Sequence, residues 1–315
     1  MVAIKNTALG VGRGLLMGAA DVVPGVSGGT VALLLGIYTR LIDTVRAAAG
    51  VLVAVVRGRG GDAGRGLRGL DWGFALPLAV GIGVAVAALS SVIDRLLADA
   101  PEAMAGVFFG LVAASVGVAW RLVARPDIGL AVAAVAVGGL FFWLLGLGSG
   151  PVSDPSVVVL FGSGAVAVAA LLLPGISGAF ILLMLGVYPA VIGAVTDRVW
   201  ADMAAVAAGA VVGLAVFSSL IGRILQRWPD PTLAVMCGLL LGSLRVLWPW
   251  PAGVGIISRH ADETVDGTGL GWAPAGDLWL PAVLAVAAAG VVAGLSWLGR
   301  DRARPAAVSP GDAEG

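Results

Sequence analysis

The chain has 315 residues, of which 59% are hydrophobic and only 12% are charged, and its formal net charge is zero. Because a soluble domain carries about 25% charged residues, this composition predicts a chain that folds in lipid rather than in water. The zero net charge gives no electrostatic reason to expect a nucleic-acid partner. With a single cysteine, Cys237, and a single histidine, His260, the chain offers little material for a metal site, and we expect no metal and no cofactor.

Residues 8–45 form the first apolar region, and the sequence Pro-Gly-Val-Ser-Gly at 24–28 interrupts it. Charged residues at Lys5 and Arg13 break the apolar stretch near the N-terminus, so we expect no cleavable signal peptide. Each arm of the region runs about 14–18 residues, whereas a full crossing needs roughly 20. We therefore predict a re-entrant helical hairpin over 8–45; the alternative is a pair of kinked full crossings.

The rest of the chain alternates between apolar and polar stretches. An Arg/Gly-rich segment at 46–71 is predicted to be a cytoplasmic loop, inserted in the first half of the chain only. A second interrupted region at 157–195, broken at Pro174-Gly175-Ile176-Ser177-Gly178, is predicted to be a second re-entrant hairpin. Spanning helices are predicted for the uninterrupted apolar segments 74–93, 103–121, 128–147, 204–222, 232–248 and 279–298.

The two interrupted regions repeat each other. The motif at 24–28 aligns with the motif at 174–178, and at the same offset Leu-Gly-Ile-Tyr at 35–38 aligns with Leu-Gly-Val-Tyr at 185–188. Chance similarity between apolar sequences does not easily match Pro, Gly, Ser and Tyr in one order. The alignment therefore indicates an internal duplication.

The predicted fold is an all-α polytopic membrane protein made of two inverted repeats, residues 1–150 and 151–300, followed by a tail at 301–315. Each repeat holds one re-entrant hairpin and three spanning helices, and this odd number of crossings turns the second repeat upside down relative to the first. If the N-terminus is cytoplasmic, fifteen of the 19 Lys and Arg residues fall on the cytoplasmic side. We therefore predict cytoplasmic termini, and two hairpins that enter from opposite sides and meet near the midplane.

The tips of the two hairpins are the candidate binding site. Glycines permit a tight turn and a close approach of ligand, and a helix that starts at the tip presents its N–H groups and positive dipole end to an anion. The alternative is that the serines only cap helices and the glycines only permit packing. The tip residues predicted to bind are Ser27, Gly28, Gly29, Thr30, Ser177 and Gly178.

Ionisable and tyrosine residues near these segments are further candidates, because such groups are rare inside a membrane. Arg95 and Arg223 occupy equivalent repeat positions and are predicted to receive an anionic headgroup from either leaflet; the alternative is a snorkelling side chain at a helix end. Asp21 has no acidic counterpart in the second half and is a candidate coupling group, or else a cap. Further candidates for headgroup binding are Arg13, Tyr38 and Tyr188, although both tyrosines also suit an interfacial belt.

The first motif and its surroundings also carry a family resemblance. Residues 17–30, MGAADVVPGVSGGT, with Leu-Gly-Ile-Tyr at 35–38, resemble the bacterial polyprenyl-phosphate transporter family, and 172–180 is similar to its second motif. The resemblance implies a flippase that returns undecaprenyl phosphate from the outer to the inner leaflet of the bacterial plasma membrane, for synthesis of peptidoglycan and other envelope polymers. It implies that Asp21, Ser27 and Ser177, with the glycines beside the serines, line the phosphate path.

Two other functions remain open at this stage. An intramembrane undecaprenyl-diphosphate phosphatase also uses inverted repeats and Ser/Gly-rich loops, but it needs a nucleophile or base, and His260 lies in a predicted outer loop. A transporter of a small soluble anion is the third hypothesis. The expected partners are the lipid phosphate and the membrane itself, and a homodimer is left open.

Overall fold

The computed structural model describes residues 2–22, 27–147, 152–250, 269–274 and 276–303, and every regular element in these ranges is a helix. The first half contains α1 (Val2–Asp21), α2 (Gly28–Leu34), α3 (Tyr38–Val56), α4 (Gly60–Gly69), α5 (Trp72–Asp99), α6 (Pro101–Trp120) and α7 (Ile128–Leu144). The second half contains α8 (Val157–Leu172), α9 (Gly178–Met184), α10 (Tyr188–Thr196), α11 (Trp200–Arg227), α12 (Pro229–Ser243) and α13 (Trp279–Ala303).

Three of the described helices, α5, α6 and α11, are long and apolar enough to cross a membrane, and the bent pair α9–α10 makes a fourth if it counts as one span. At a rise of about 1.5 Å per residue, a 20-residue helix such as α6 covers roughly 30 Å, the thickness of a hydrocarbon core. These helices are compatible with a membrane protein; α5 and α11 contain the predicted spans 74–93 and 204–222, and α6 covers 103–121 except for its last residue. The other three predicted spans overlap α7, α12 and α13, of which α7 and α12 have only 17 and 15 residues.

The second arm of each predicted hairpin is shorter than we expected. The chain breaks not only at the Pro-Gly-x-Ser-Gly motifs but again at Gly36 and Gly186, whose φ angles are +66° and +71°. These left-handed residues end α2 and α9 after seven residues each. Between α9 and α10 the axis turns by 111°. The second arm of each predicted hairpin is therefore divided into two helices on either side of a left-handed glycine.

The segment 46–71, for which we predicted a cytoplasmic loop, is helical over most of its length. Helix α3 continues to Val56, and the chain turns back into α4. An ion pair between Arg40 and Asp71, with 2.6 Å between Nη2 and Oδ2, joins the start of α3 to the residue before α5. The exposed Arg40–Asp71 pair stabilises this arrangement by at most about 1 kcal/mol, so helix packing sets the position of the segment.

Four long helix pairs, α1–α5, α8–α11, α6–α13 and α7–α12, form the framework of the molecule. Glycines lie where the backbones approach most closely: a side chain at Gly14 would collide with the Leu78 carbonyl, and one at Gly209 with the Phe161 carbonyl. Small residues at helix contacts are typical of membrane proteins, where backbone proximity replaces hydrophobic burial as the source of attraction. Between the pairs, α2, α6 and α12 enclose a buried core that includes Leu33, Val112 and Leu240.

Candidate functional site

Described residues of the two interrupted regions lie side by side, and hydrogen bonds connect them. The Gly175 N–H donates to the Thr30 hydroxyl at 2.9 Å, and the Tyr38 hydroxyl donates to the Leu172 carbonyl at 2.7 Å; both bonds are buried. Gly175 has φ +85°, so a residue other than glycine would be strained at this contact. The first half of the chain thus supplies side chains that satisfy backbone groups of the second half at the point where its helix is broken.

The tip of the first hairpin is capped by its own side chains. The Ser27 hydroxyl accepts from the Gly29 N–H at 3.1 Å, and the Asp21 carboxylate accepts from the Gly28 N–H at 2.6 Å. The first amides of α2 therefore already have partners within the chain. Ser27 is fully buried, and its hydroxyl also lies 3.5 Å from the Leu173 carbonyl, at the limit of a hydrogen bond. The alternative interpretation of Asp21 and Ser27 as caps describes the contacts that the structure shows.

The tip of the second hairpin differs from the first. Ser177 occupies the N-cap position of α9 and is half-buried, but its side chain makes no capping hydrogen bond. Leu171, at the position equivalent to Asp21, offers no carboxylate. Gly178 packs against α8, where an added Cβ would lie 2.7 Å from the Ala167 carbonyl. The Ser177 hydroxyl at the second tip therefore makes no capping bond, whereas the equivalent Ser27 hydroxyl at the first tip does.

An apolar cavity of about 410 Å³ lies beside the first tip, between α1, α2, α5, α6 and α13. Thr30 lies in its wall, and Ser115 and Ser296 are the other hydroxyl-bearing residues there. The remaining lining is aliphatic or aromatic apart from the thioether of one methionine, and it includes Leu16, Leu35 and Phe108. Such a cavity suits a hydrocarbon chain, because burying apolar surface contributes roughly 25 cal/mol per Å².

Arg13 lines a second, open groove of about 530 Å³ on α1. The groove shares Leu16 and Leu35 with the apolar cavity, so the two spaces adjoin. Arg13 is half-buried and forms no ion pair with any residue that the structure describes. A cation next to an apolar cavity is the arrangement that a ligand with an anionic head and an apolar tail requires.

The predicted residues Arg95, Arg223 and Tyr188 do not line this cavity. Arg95 is exposed on α5, and Arg223 lines a different groove, between α3 and α11, together with Arg57. Tyr188 begins α10 and is half-buried, without the cross-half hydrogen bond that its counterpart Tyr38 makes. Repeat symmetry in the sequence therefore did not translate into equal surroundings.

Two features of the sites escaped the sequence analysis. Arg57 was counted only toward the positive charge of a loop, because nothing in the sequence showed that α3 runs on to Val56 and packs against α11. Ser115 aligns with Ser243 of the second half, which marks it as part of the repeat, but nothing in the sequence indicates that it faces a cavity. His260, which the phosphatase hypothesis considers, lies outside the described residues. Within those residues no cluster of three or more His, Cys, Asp or Glu side chains could hold a metal ion.

Comparison with known proteins gives consistent matches. Residues 17–265 match the model of the undecaprenyl phosphate translocase-like family. The chain is 37% identical to the polyprenyl-phosphate transporter of Vibrio cholerae serotype O1, over 76% of each chain. It is 29% identical to the polyprenyl-phosphate transporter of Staphylococcus aureus, over 75% of this chain and 84% of the relative. No solved structure matches the chain. Because the family model covers most of its length, the chain belongs to the undecaprenyl phosphate translocase-like family.

Proposed function

We propose that the protein is a flippase that carries polyprenyl phosphate, undecaprenyl phosphate above all, from the outer to the inner leaflet of the bacterial plasma membrane, where it re-enters cell-envelope synthesis. The observation that carries the proposal is the apolar cavity at the first hairpin tip with the Arg13 groove beside it. Family membership and the names of both relatives support the choice of lipid. No bond in the lipid is made or broken, so the protein acts as a transporter rather than an enzyme.

The phosphate needs polar partners throughout its passage, because a bare charge in hydrocarbon is prohibitively costly. Arg13 supplies a cation at the edge of the cavity, and Ser177 supplies the hydroxyl that is not used in capping. The first amides of α2 and the Tyr38 hydroxyl have a structural role rather than a binding role, since their hydrogen bonds hold the tips in place. The isoprenoid tail lies in the apolar cavity between α1 and α6 or in the bilayer beside it.

Asp21 remains our candidate for coupling to protons. Its carboxylate holds the Gly28 amide at 2.6 Å, and protonation would remove the charge that strengthens this bond. The released amide would then face the tip region next to Thr30. Proton binding at Asp21 would in this way alternate the Gly28 amide between an internal carboxylate and an external phosphate.

In this proposal the two halves of the chain are inverted repeats, and movement of one against the other exposes the site alternately to the two sides of the membrane. The matched framework supports them: α1–α5 in the first half corresponds to α8–α11 in the second, and α6–α13 corresponds to α12–α7 with the halves exchanged. The hairpins, α1–α2 and α8–α9, are in this proposal re-entrant from opposite sides, with both termini cytoplasmic. Cysteine labelling tests the orientation, because the native Cys237 is 1% exposed and gives little background. Gly61→Cys should react only after permeabilisation, whereas Trp272→Cys should react in intact cells.

The function is tested by reconstitution in liposomes with a fluorescent polyprenyl phosphate whose outer-leaflet label can be chemically quenched. Wild-type protein should accelerate the movement of label between leaflets. A variant with Arg13→Gln and Ser177→Ala should lose most of this activity, and the matched control Arg68→Gln with Ser153→Ala, which changes exposed residues only, should keep it. Unchanged transport in the first variant would refute the site. Release of phosphate from the diphosphate lipid would instead favour an enzyme, and competition by inorganic anions would favour a soluble substrate.

A further inference from the structure

A groove separate from the apolar cavity and from the Arg13 groove lies between α3 and α11. It has a volume of about 600 Å³ and is lined mainly by aliphatic residues of the two helices, among them Val53, Val56, Val212 and Val216. Val56 is 80% exposed, and Val212 and Val216 are about half exposed. The polar residues in its lining are Arg57, Ser219 and Arg223. The groove is thus an open apolar surface with two cations set into it.

The charges of these arginines are not balanced within the part of the chain that the structure describes. The ion pairs among the described residues are formed by Arg40 and Arg65, not by Arg57 or Arg223. A third cation, Arg46, extends along the same helix contact, with Nη1 3.8 Å from where a side chain at Gly222 would begin. None of the described residues that line the groove is acidic; Asp43, one turn before Arg46 on α3, is exposed and outside it.

Unpaired arginines beside an apolar surface favour a ligand that is both anionic and lipophilic. Guanidinium groups bind phosphate oxygens through two parallel hydrogen bonds, which makes them the preferred side chains for a phosphate headgroup. A phosphate monoester carries up to two negative charges, whereas the phosphodiester of an ordinary phospholipid carries one. Two arginines therefore match the monoester better, and the valine wall provides a surface for its hydrocarbon chain.

The helix contact that forms the groove is not repeated to a similar extent between the described parts of the other half. Helix α3 packs along α11, but among the described residues the corresponding pair of the other half, α10 and α5, makes no contact of similar extent. The C-terminal part of α3, with Val53, Val56 and Arg57, belongs to the segment that has no counterpart in the second half. The insertion thus supplies one wall of the groove, and under the proposed orientation this wall lies in the inner leaflet.

We propose that the α3–α11 groove is a docking site for a lipid phosphate monoester, polyprenyl phosphate, in the inner leaflet. Its arginines hold the phosphate and its valines hold the first part of the isoprenoid chain. The identity of the lipid rests on the proposed transport function; the chemistry of the site does not. The site would retain the lipid phosphate at the cytoplasmic face next to the transporter, separately from the cavity at the first hairpin tip.

Photochemical labelling of the full-length protein tests this site. The protein is placed in nanodiscs of phosphatidylcholine with undecaprenyl phosphate that carries a diazirine on its chain, and labelled peptides are mapped. We expect labelling of α3 and α11 near Val56 and Val216. Labelling there should fall at least tenfold in Arg57→Gln with Arg223→Gln and stay unchanged in the control Arg59→Gln with Arg68→Gln, which removes two exposed charges outside the groove. Phosphatidic acid, another monoester, should compete.

Competition by other lipids and a parallel transport assay distinguish the docking site from its alternatives. Equal competition by phosphatidylglycerol would show a general anionic-lipid surface and overturn the proposal, as would competition by inorganic phosphate alone or an absence of label on α3 and α11. If wild type transports the lipid but the groove is not labelled, the docking site is wrong and the transport function stands. If the groove is labelled as expected but wild type transports nothing, the docking site stands and the transport function is wrong.

Discussion

Replacing Thr30 by valine tests the contact between the two hairpin tips. The Thr30 hydroxyl is the acceptor for the Gly175 N–H at 2.9 Å, and Thr30 is only 3% exposed, so no water can replace it easily. Valine has nearly the same shape as threonine but accepts no hydrogen bond. The variant therefore leaves a buried amide without a partner, which costs about 1–3 kcal/mol. The second tip, whose Gly175 has a left-handed φ, should lose its fixed position.

The assay combines thermal unfolding of the purified protein with lipid transport in liposomes. We expect the unfolding midpoint to fall by about 2–6 °C, given the few degrees that each kcal/mol is worth in a chain of this size. Transport should fall more steeply, because the displaced tip carries Ser177, whose hydroxyl is part of the proposed phosphate path. Thr232→Val is the matched control, since its hydroxyl bonds to the carbonyl of Trp228 at an exposed position. Wild-type stability and transport in Thr30→Val would refute the view that this contact organises the site.

Three further sets of substitutions test other contacts and residues of the structure. Tyr38→Phe removes the donor to the Leu172 carbonyl and should destabilise the protein by about 1 kcal/mol, whereas Tyr188→Phe should have no effect in the same unfolding assay. Gly110→Ala pushes a methyl group into the α13 backbone and should lower the unfolding midpoint. The control Gly117→Ala, with open space around the new methyl group, should raise the midpoint slightly. Equal effects of the two substitutions would contradict the close α6–α13 packing. Asp21→Asn keeps the shape of the cap but not its charge, so it should abolish any dependence of transport on a proton gradient; retained proton dependence would exclude Asp21 as the coupling group.

The sequence predicted the breaks at both Pro-Gly-x-Ser-Gly motifs, because proline cannot continue a helix and the glycine after it permits a turn. It did not predict the second breaks at Gly36 and Gly186. A single glycine in an apolar run is tolerated inside a helix, and only the backbone angles show that these two are left-handed. The repeated Leu-Gly-x-Tyr sequence was recognised as a mark of duplication but not as a turn.

The contact between the two interrupted regions was predictable from the sequence, but the surroundings of the individual candidate residues were not. The motifs pointed to both tips, and the structure brings Thr30 and Gly175 together. Arg95 and Arg223 occupy equivalent repeat positions but have different surroundings, because the residues around each depend on neighbouring helices that the alignment does not describe. The position of Arg57 beside Arg223 follows from the packing of α3 on α11, a long-range contact without a local signal.

The difference between the two tips bears on how a duplicated motif can move an anion. If both tips offered equal, unoccupied amides, the phosphate would be bound equally well by each and would gain nothing by moving. In this structure the first tip is already satisfied by Asp21 and Ser27, while Ser177 at the second makes no cap bond. In the proposed mechanism, an anion at the first tip competes with the Asp21 carboxylate for the Gly28 amide, and protonation of that carboxylate shifts the balance. Asp21, which has no acidic counterpart at the second tip, would thus make the two tips differ between the two states of the proposed transport cycle.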